Sequence, residues 1–205
     1  MNSSASSNTS KFNLPSYFAK KLNLQNKNYI NSGKFGSVYK TPTGVVKVSK
    51  SKKLIDLTNE YEISIIAGDN GIGPIVDKHR SGLEEYKNEF YLFIFMEKME
   101  NTLLDVLSNT NINGNTVMDI YSYISFKVSL LHKLGICHND LHVKNIMKSK
   151  NNWYLIDYGK SSINTNKTSD CANDVNKLSS IQQMLSKKLK KKVKANELAP
   201  KALRF

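Results

Sequence analysis

Two short polar stretches constrain this chain most: "HNDLHVKN" at residues 138–145 and, ten residues on, "LIDYG" at residues 155–159. The first follows "VMDIYSYISFKVSLLHKLG", an amphipathic run that predicts a long helix stopped by Gly135. Asp140 lies five residues ahead of Asn145, in the loop after that helix. Such a pair can hold a hydroxyl and a divalent cation respectively. The second stretch puts Asp157 at the end of the apolar strand predicted for "WYLIDYG". A carboxylate presented there suits hard cations such as Mg2+, which take oxygen ligands. Taken singly, each stretch is also ordinary turn chemistry. His138 and His142 have a spacing that zinc ligands use on helices, but no Glu follows His138 as that motif requires. The two cysteines, Cys137 and Cys171, read as free thiols in preference to a disulfide.

Upstream, "GSVYKT" and "VVKVSK" alternate about "PTG", which predicts a β-hairpin with a Gly-containing turn. Alternation puts Val45 and Lys47 on one face and Val46 and Val48 on the other. A lysine among such apolar neighbours needs a charge partner. The predicted helix "LIDLTNEYEISIIAG" offers Glu60 as first choice and Glu62 as second. Gly33 and Gly36 in "NSGKFGSVYK" let the backbone approach a phosphate, although a hairpin turn explains them as well. "FYLFIFMEKM" reads as a buried strand, "TLLDVL" as a short helix and "DVNKLSSIQQMLSKKLKKKVK" as a basic helix. A short helical segment is expected between Phe12 and about Ile30.

Strands and one helix therefore precede a mainly helical half. That order predicts an α+β chain of two lobes with a boundary near Glu97–Asn101. The divisions are a disordered Ser/Asn-rich tail at 1–12, a β-rich lobe at 13–97 and a helical lobe at 98–205 that ends in the basic helix.

In this order, "SGKFGSV", "VVKV", "HNDLHVKN" and "IDYG" resemble the signature set of the protein-kinase-like superfamily across about residues 28–185. The resemblance implies a two-lobed kinase fold with a small β-rich N-lobe and a truncated, mainly helical C-lobe. It implies ATP and Mg2+ as cofactors. Gly33 and Gly36 would cover the phosphates, and Val38 and Val45 would line the nucleotide site. Lys47 would contact the α- and β-phosphates and pair with Glu60. Met96 would be the gatekeeper, with Glu97 and Met99 offering backbone groups to adenine. Asp140 would accept the substrate proton, and Asn145 and Asp157 would hold Mg2+. Asp174 matches the Asp that braces the catalytic loop from a later helix, and His138 reads as a structural brace.

The chain departs from the pattern at four places. Asn31 stands at the first glycine of the loop, Asn139 at the Arg of the HRD motif and Tyr158 at the Phe of DFG. Without that Arg, activation through an activation-loop phosphate is not expected. His142 replaces the lysine usual two residues after the catalytic Asp and resembles the loop of aminoglycoside and choline phosphotransferases. Lys144 could partly restore that charge. The short segment after Asp157, which lacks an "APE" motif, instead resembles compact kinases: Rio-type, KEOPS-type and those of large DNA viruses. The Lys/Asn/Ile-rich composition suits an AT-rich viral source.

The leading expectation is a compact Ser/Thr protein kinase. The alternatives are a small-molecule phosphotransferase or a basic pseudokinase scaffold. The scaffold is disfavoured because Lys47, Asp140, Asn145 and Asp157 are all present. The net charge of +13, almost wholly lysine, favours anionic partners such as nucleic acid, acidic protein segments or phosphorylated ligands, and equally suits solubility in a Lys/Asn-biased composition. Nucleic acid is compatible with the charge, but no motif indicates it. With no apolar span or leader, a cytoplasmic location is expected, or host cytoplasm or virion for a viral protein. Nothing in the sequence fixes an oligomeric state.

Overall fold

In the computed structural model the described residues are 13–33, 36–108, 114–163 and 171–198. The expected disordered tail at 1–12 lies outside them, as do Lys34, Phe35 and residues 164–170. The first lobe is an antiparallel sheet in the order β1-β2-β3-β5-β4. Its strands are β1 (Tyr29–Ser32), β2 (Gly36–Thr41), β3 (Gly44–Ser51), β4 (Gly82–Tyr86) and β5 (Glu89–Met96). The predicted hairpin is β2–β3, with Thr41 opposite Gly44 and Val38 opposite Lys47. β5 pairs with the other edge of β3, setting Ile94 opposite Lys47 and Met96 opposite Val45. β3 is thus hydrogen-bonded on both sides, which makes it a rigid base for its side chains.

The sheet buries both faces. On one, Tyr39, Val46, Val48, Tyr91, Phe93 and Phe95 form a cluster closed by α1 (Ser16–Lys21). The Phe18 ring of α1 is fully buried, with centroids 4.6 Å from Tyr91 and 4.9 Å from Phe93. Burying such a ring contributes about 1.5–3 kcal/mol. On the other face, α2 (Leu54–Asp69) packs Leu57 against Leu92, Ile94 and Val76.

From Met96 the chain crosses into the second lobe, where Glu100 N donates to Lys148 O at 2.8 Å. There β6 (Asn101–Thr102), β8 (Ile146–Ser149) and β9 (Asn152–Leu155) form a small sheet in the order β6-β8-β9. β7 (Ile136–Cys137) pairs with β10 (Ser162–Ile163). The helices are α3 (Leu103–Ser108), α4 (Gly114–Lys133) and α5 (Ala172–Leu198). Thr102 and Asp105 cap α3 reciprocally: each backbone N–H donates to the other's side chain. Along α4, Val117, Ile120, Ile124, Val128 and Leu131 are buried at helical spacing, against Leu141, Ile146, Trp153, Leu155, Ile181 and Leu185. Gly135, at φ 75, ends the helical run as predicted. The expected two-lobed α+β fold is the one present.

Two local expectations are corrected. The strand foreseen through "WYLIDYG" ends at Leu155, and Asp157 adopts the left-handed region at φ 68. Cys137 and Cys171 are not free thiols but a disulfide, with Cα atoms 5.4 Å apart. The β7–β10 pairing and the start of α5 bring together residues 34 apart in sequence, which no local pattern reveals. On a chain-entropy account, closing a loop of that length stabilises the fold by about 3–4 kcal/mol.

Candidate active site

Strand pleating and helix phase decide which charges meet. Lys47 shares its sheet face with Val38, Val45, Ile94 and Met96, because antiparallel partners point the same way and alternate residues repeat. Its Nζ lies 2.6 Å from Glu60 Oε1 and 2.5 Å from Asp157 Oδ1. Glu60 is 6% exposed, whereas Glu62, two residues on, faces solvent. A helix turns about 200° in two residues, so only one of the two can reach Lys47. Burial pulls the Lys47 ammonium down, but the charges of Glu60 and Asp157 outweigh it and hold the group above the ordinary lysine range. Burial also pushes the Asp157 carboxyl up; the Lys47 charge overcomes this and keeps it below the usual carboxylate range.

The second half of the site is the loop after β7. Asn145 Nδ2 donates to the Asp140 carbonyl at 3.0 Å, which ties the two ends of "DLHVKN" together. Ile156 N donates to Asn145 O at 2.9 Å, fixing the residue before Asp157 against the same loop. Asp140 Oδ1 lies 2.9 Å from Lys160 Nζ and its Oδ2 lies 4.0 Å from His142 Nε2. His142 Nδ1 accepts the Lys144 N–H at 3.2 Å, which leaves its ring proton on Nε2, the nitrogen facing Asp140.

Asp174, fully buried at the start of α5, holds this loop from behind. Its oxygens accept the backbone N–H groups of His138 at 2.7 Å and Asn139 at 2.8 Å, and His132 Nε2 lies 3.1 Å away. Burial raises the Asp174 carboxyl, but these hydrogen bonds and the nearby His138 bring it below the usual range. Asn139 sits at φ 62, a conformation asparagine tolerates. Its Nδ2 donates to Lys160 O at 3.2 Å and Ser162 Oγ at 3.0 Å. His132, Cys171 and Asp174 offer ligand atoms within 4.8 Å of one another. The Cys171 sulfur is bonded to Cys137, however, and Asp174 is committed to the loop.

His138 is wholly buried, and its Nε2 lies 3.0 Å from Ile156 O, so the ring proton belongs there. Its Nδ1 has no hydrogen-bond partner among the described residues. Burial pulls the imidazole below its ordinary 6.5, and the charges of Asp174, Asp157 and Asp140 only partly oppose this. Below about pH 6.5 the unfolded chain therefore takes up a proton that the folded ring resists, and stability falls with falling pH. Urea midpoints should drop between about pH 7.5 and 5.5, and His138→Gln should reduce that slope. An equal slope in the variant rules out this assignment.

For the remaining expected site residues, Gly36 packs tightly: a Cβ there would run into Val48 O. Gly33 faces open space, and its N–H donates to Gly36 O at 2.9 Å. Glu97 follows β5, with its N–H on Ile75 O at 3.3 Å, and Met99 is buried. The structure thus brings Lys47, Glu60 and Asp157 together, and Asp140 and Asn145 together. Sequence reasoning passed over Lys160. The only signal was its place directly after "DYG" in a chain rich in lysine.

The family profile described as "Protein kinase domain" matches residues 24–182. A probable cell division protein kinase of Encephalitozoon cuniculi (strain GB-M1) is 28% identical over 128 residues, covering 60% of this chain and 41% of that protein. The probable serine/threonine-protein kinase fnkB of Dictyostelium discoideum is 32% identical over 78 residues, 36% of this chain and 15% of its own length. The probable serine/threonine-protein kinase glkA of the same organism is 26% identical over 141 residues, 65% of this chain and 29% of its own length. The chain spans less than half the length of these relatives. Among the described residues no helix is long and apolar enough to cross a membrane. The match over residues 24–182 covers both halves of the site, from the strand lysine to the loop brace Asp174, and by it this chain belongs to the protein kinase domain family.

Proposed function

We propose that the protein transfers the γ-phosphoryl group of ATP to Ser or Thr hydroxyls of protein substrates. The observation that carries this reading is the meeting of Lys47, Glu60 and Asp157, with Lys47 and Asp157 110 residues apart, beside the Asp140–Asn145 loop. The similarity to the two Dictyostelium proteins named as probable serine/threonine-protein kinases supports the acceptor class.

In this reading Val38, Val45 and Met96 form the apolar wall against adenine, with Met96 as gatekeeper. Glu97 O and Met99 N meet its polar edge. Gly33 and Gly36, lacking side chains, let the backbone approach the phosphates closely. Lys47, oriented by Glu60, binds the α- and β-phosphates as a point charge. The donor set fits a hard divalent cation: Asp157 is held ionised, and Asn145 has its amide nitrogen engaged by Asp140 O, which leaves the oxygen as the ligand end. Mg2+ bound there supplies positive charge to the phosphate oxygens. Asp140 orients the acceptor hydroxyl and takes its proton; the transition state is loose, so a modest base suffices. His138 and Asp174 keep the loop in place.

The test is incubation of the chain with labelled ATP, Mg2+ and, in parallel, acidic and basic test proteins, aminoglycosides and choline-like alcohols, with Asp157→Ala as control. Label on Ser or Thr of a protein, lost in the control, is the expected result. Label only on aminoglycosides or choline-like alcohols moves the assignment to small-molecule transfer, the class that His142 beside Asp140 resembles. No transfer to any acceptor overturns the enzymatic reading.

A further inference from the structure

Lys160 is anchored more firmly than a surface lysine needs to be. Its carbonyl accepts the Asn139 side-chain amide at 3.2 Å. The next residue, Ser161, donates its hydroxyl to His138 O at 3.0 Å, and Ser162 then pairs with Cys137. The Cys137–Cys171 disulfide joins this strand pair to the residue that precedes α5. The backbone of Lys160 is thereby fixed against the loop that carries Asp140, while its side chain remains 56% exposed and free to turn. Its Nζ rests 2.9 Å from Asp140 Oδ1. An ion pair this exposed contributes little to stability, so the contact of Nζ with Asp140 is not what holds the segment in place.

Among the described residues no other basic side chain comes as close to Asp140. Lys47 is committed to Glu60 and Asp157. His142 Nε2 stands at 4.0 Å. Lys144 is exposed and forms no ion pair among the described residues. Arg80 lies over the Phe95 ring in the sheet lobe.

We propose that Lys160 is the catalytic cation that meets the transferred phosphoryl group next to Asp140. This rests on the kinase reading above. In the step, the acceptor hydroxyl oxygen bonds to the γ-phosphorus as the bond from that phosphorus to the β–γ bridging oxygen breaks. The bridging electron pair leaves with the nucleoside diphosphate, and the hydroxyl proton goes to Asp140. Lys160 keeps its protons throughout. As Asp140 is neutralised, the ammonium loses its anionic partner and turns to the phosphoryl oxygens, which place negative charge within its reach.

The test compares labelled-ATP transfer by the full chain and by Lys160→Ala, Lys160→Arg and the double variant Lys160→Ala/His142→Lys. Lys160→Ala should lower kcat roughly 10²-fold with KM for ATP unchanged. Lys160→Arg should keep most of the activity. The double variant should regain at least about tenfold, because a lysine at 142 offers a cation on the other side of Asp140. If Lys160→Ala unfolds in a thermal melt, Lys160→Gln, which keeps the stem, takes its place. A kcat equal to or above wild type in the neutral variants overturns the proposal and makes Lys160 a bystander or an inhibitory clasp over Asp140. A double variant that regains nothing overturns it too. Wild-type transfer with an unaffected Lys160 variant removes Lys160 alone, whereas no transfer by the wild type removes the kinase reading and Lys160 with it.

Discussion

Asp140→Asn should slow phosphoryl transfer by about 10²–10⁴-fold, the range a positioned general base supplies. The amide has the same shape as the carboxylate, so the loop keeps its packing. Asn145 stays in place because its partner is the Asp140 backbone carbonyl, not the side chain. Lys160 loses an ion pair, but with Lys160 56% and Asp140 26% exposed this costs little stability. The variant should therefore melt near the wild-type temperature and bind ATP as well, and it should fail only in turnover. Steady-state transfer to a test protein together with nucleotide titration checks this. Transfer within a few-fold of wild type would mean that another group accepts the hydroxyl proton.

Lys47→Ala should damage both stability and activity. Glu60 is 6% exposed, and Lys47 is its ion-pair partner. Removing one member of such a buried pair costs about 3–5 kcal/mol, because the other charge is stranded. Asp157 also loses the charge that keeps its carboxyl low. The sign of the pH effect follows. A depressed carboxyl stabilises the fold above its unfolded value of 3.8, and that stability is lost as pH falls through the folded value. Asp157 is 45% exposed, so solvent screens part of this contribution. Acid unfolding of the variant should accordingly show a shallower loss. Adding Glu60→Gln separates the two roles. The double variant should recover part of the stability, since no stranded charge remains, but none of the phosphoryl transfer. Urea unfolding and nucleotide titration read the two effects. Unchanged nucleotide binding with full activity in Lys47→Ala would remove Lys47 from the site.

Much of this was legible locally. The alternation of "GSVYKT" and "VVKVSK" foretells β2–β3 and the face of Lys47, because strand side chains alternate with period two whatever lies beyond the hairpin. The spacing of Val117, Ile120, Ile124, Val128 and Leu131 foretells the buried side of α4 for the analogous reason at helical period. α2 was legible as a helix but not as an orientation. Ile63, Ile65 and Ile66 spread apolar surface round it, so periodicity could not choose between Glu60 and Glu62. β5 was legible as a strand, while the aromatic cluster under Phe18 was not, since α1 is too short to announce which face it covers.

By itself the sequence determined the order of elements, the residue types at the two polar stretches and the membership those imply. These are properties of adjacent residues, set by backbone geometry and side-chain period. Only the tertiary structure decided which distant groups touch: Lys47 with Asp157, Cys137 with Cys171, Asp174 with the backbone of the loop, and Lys160 with Asp140. Those contacts depend on how the lobes' elements pack and on angstrom-scale register. No local pattern encodes that, because a charge or a thiol carries the same signal in a sequence whether or not a partner folds back to meet it.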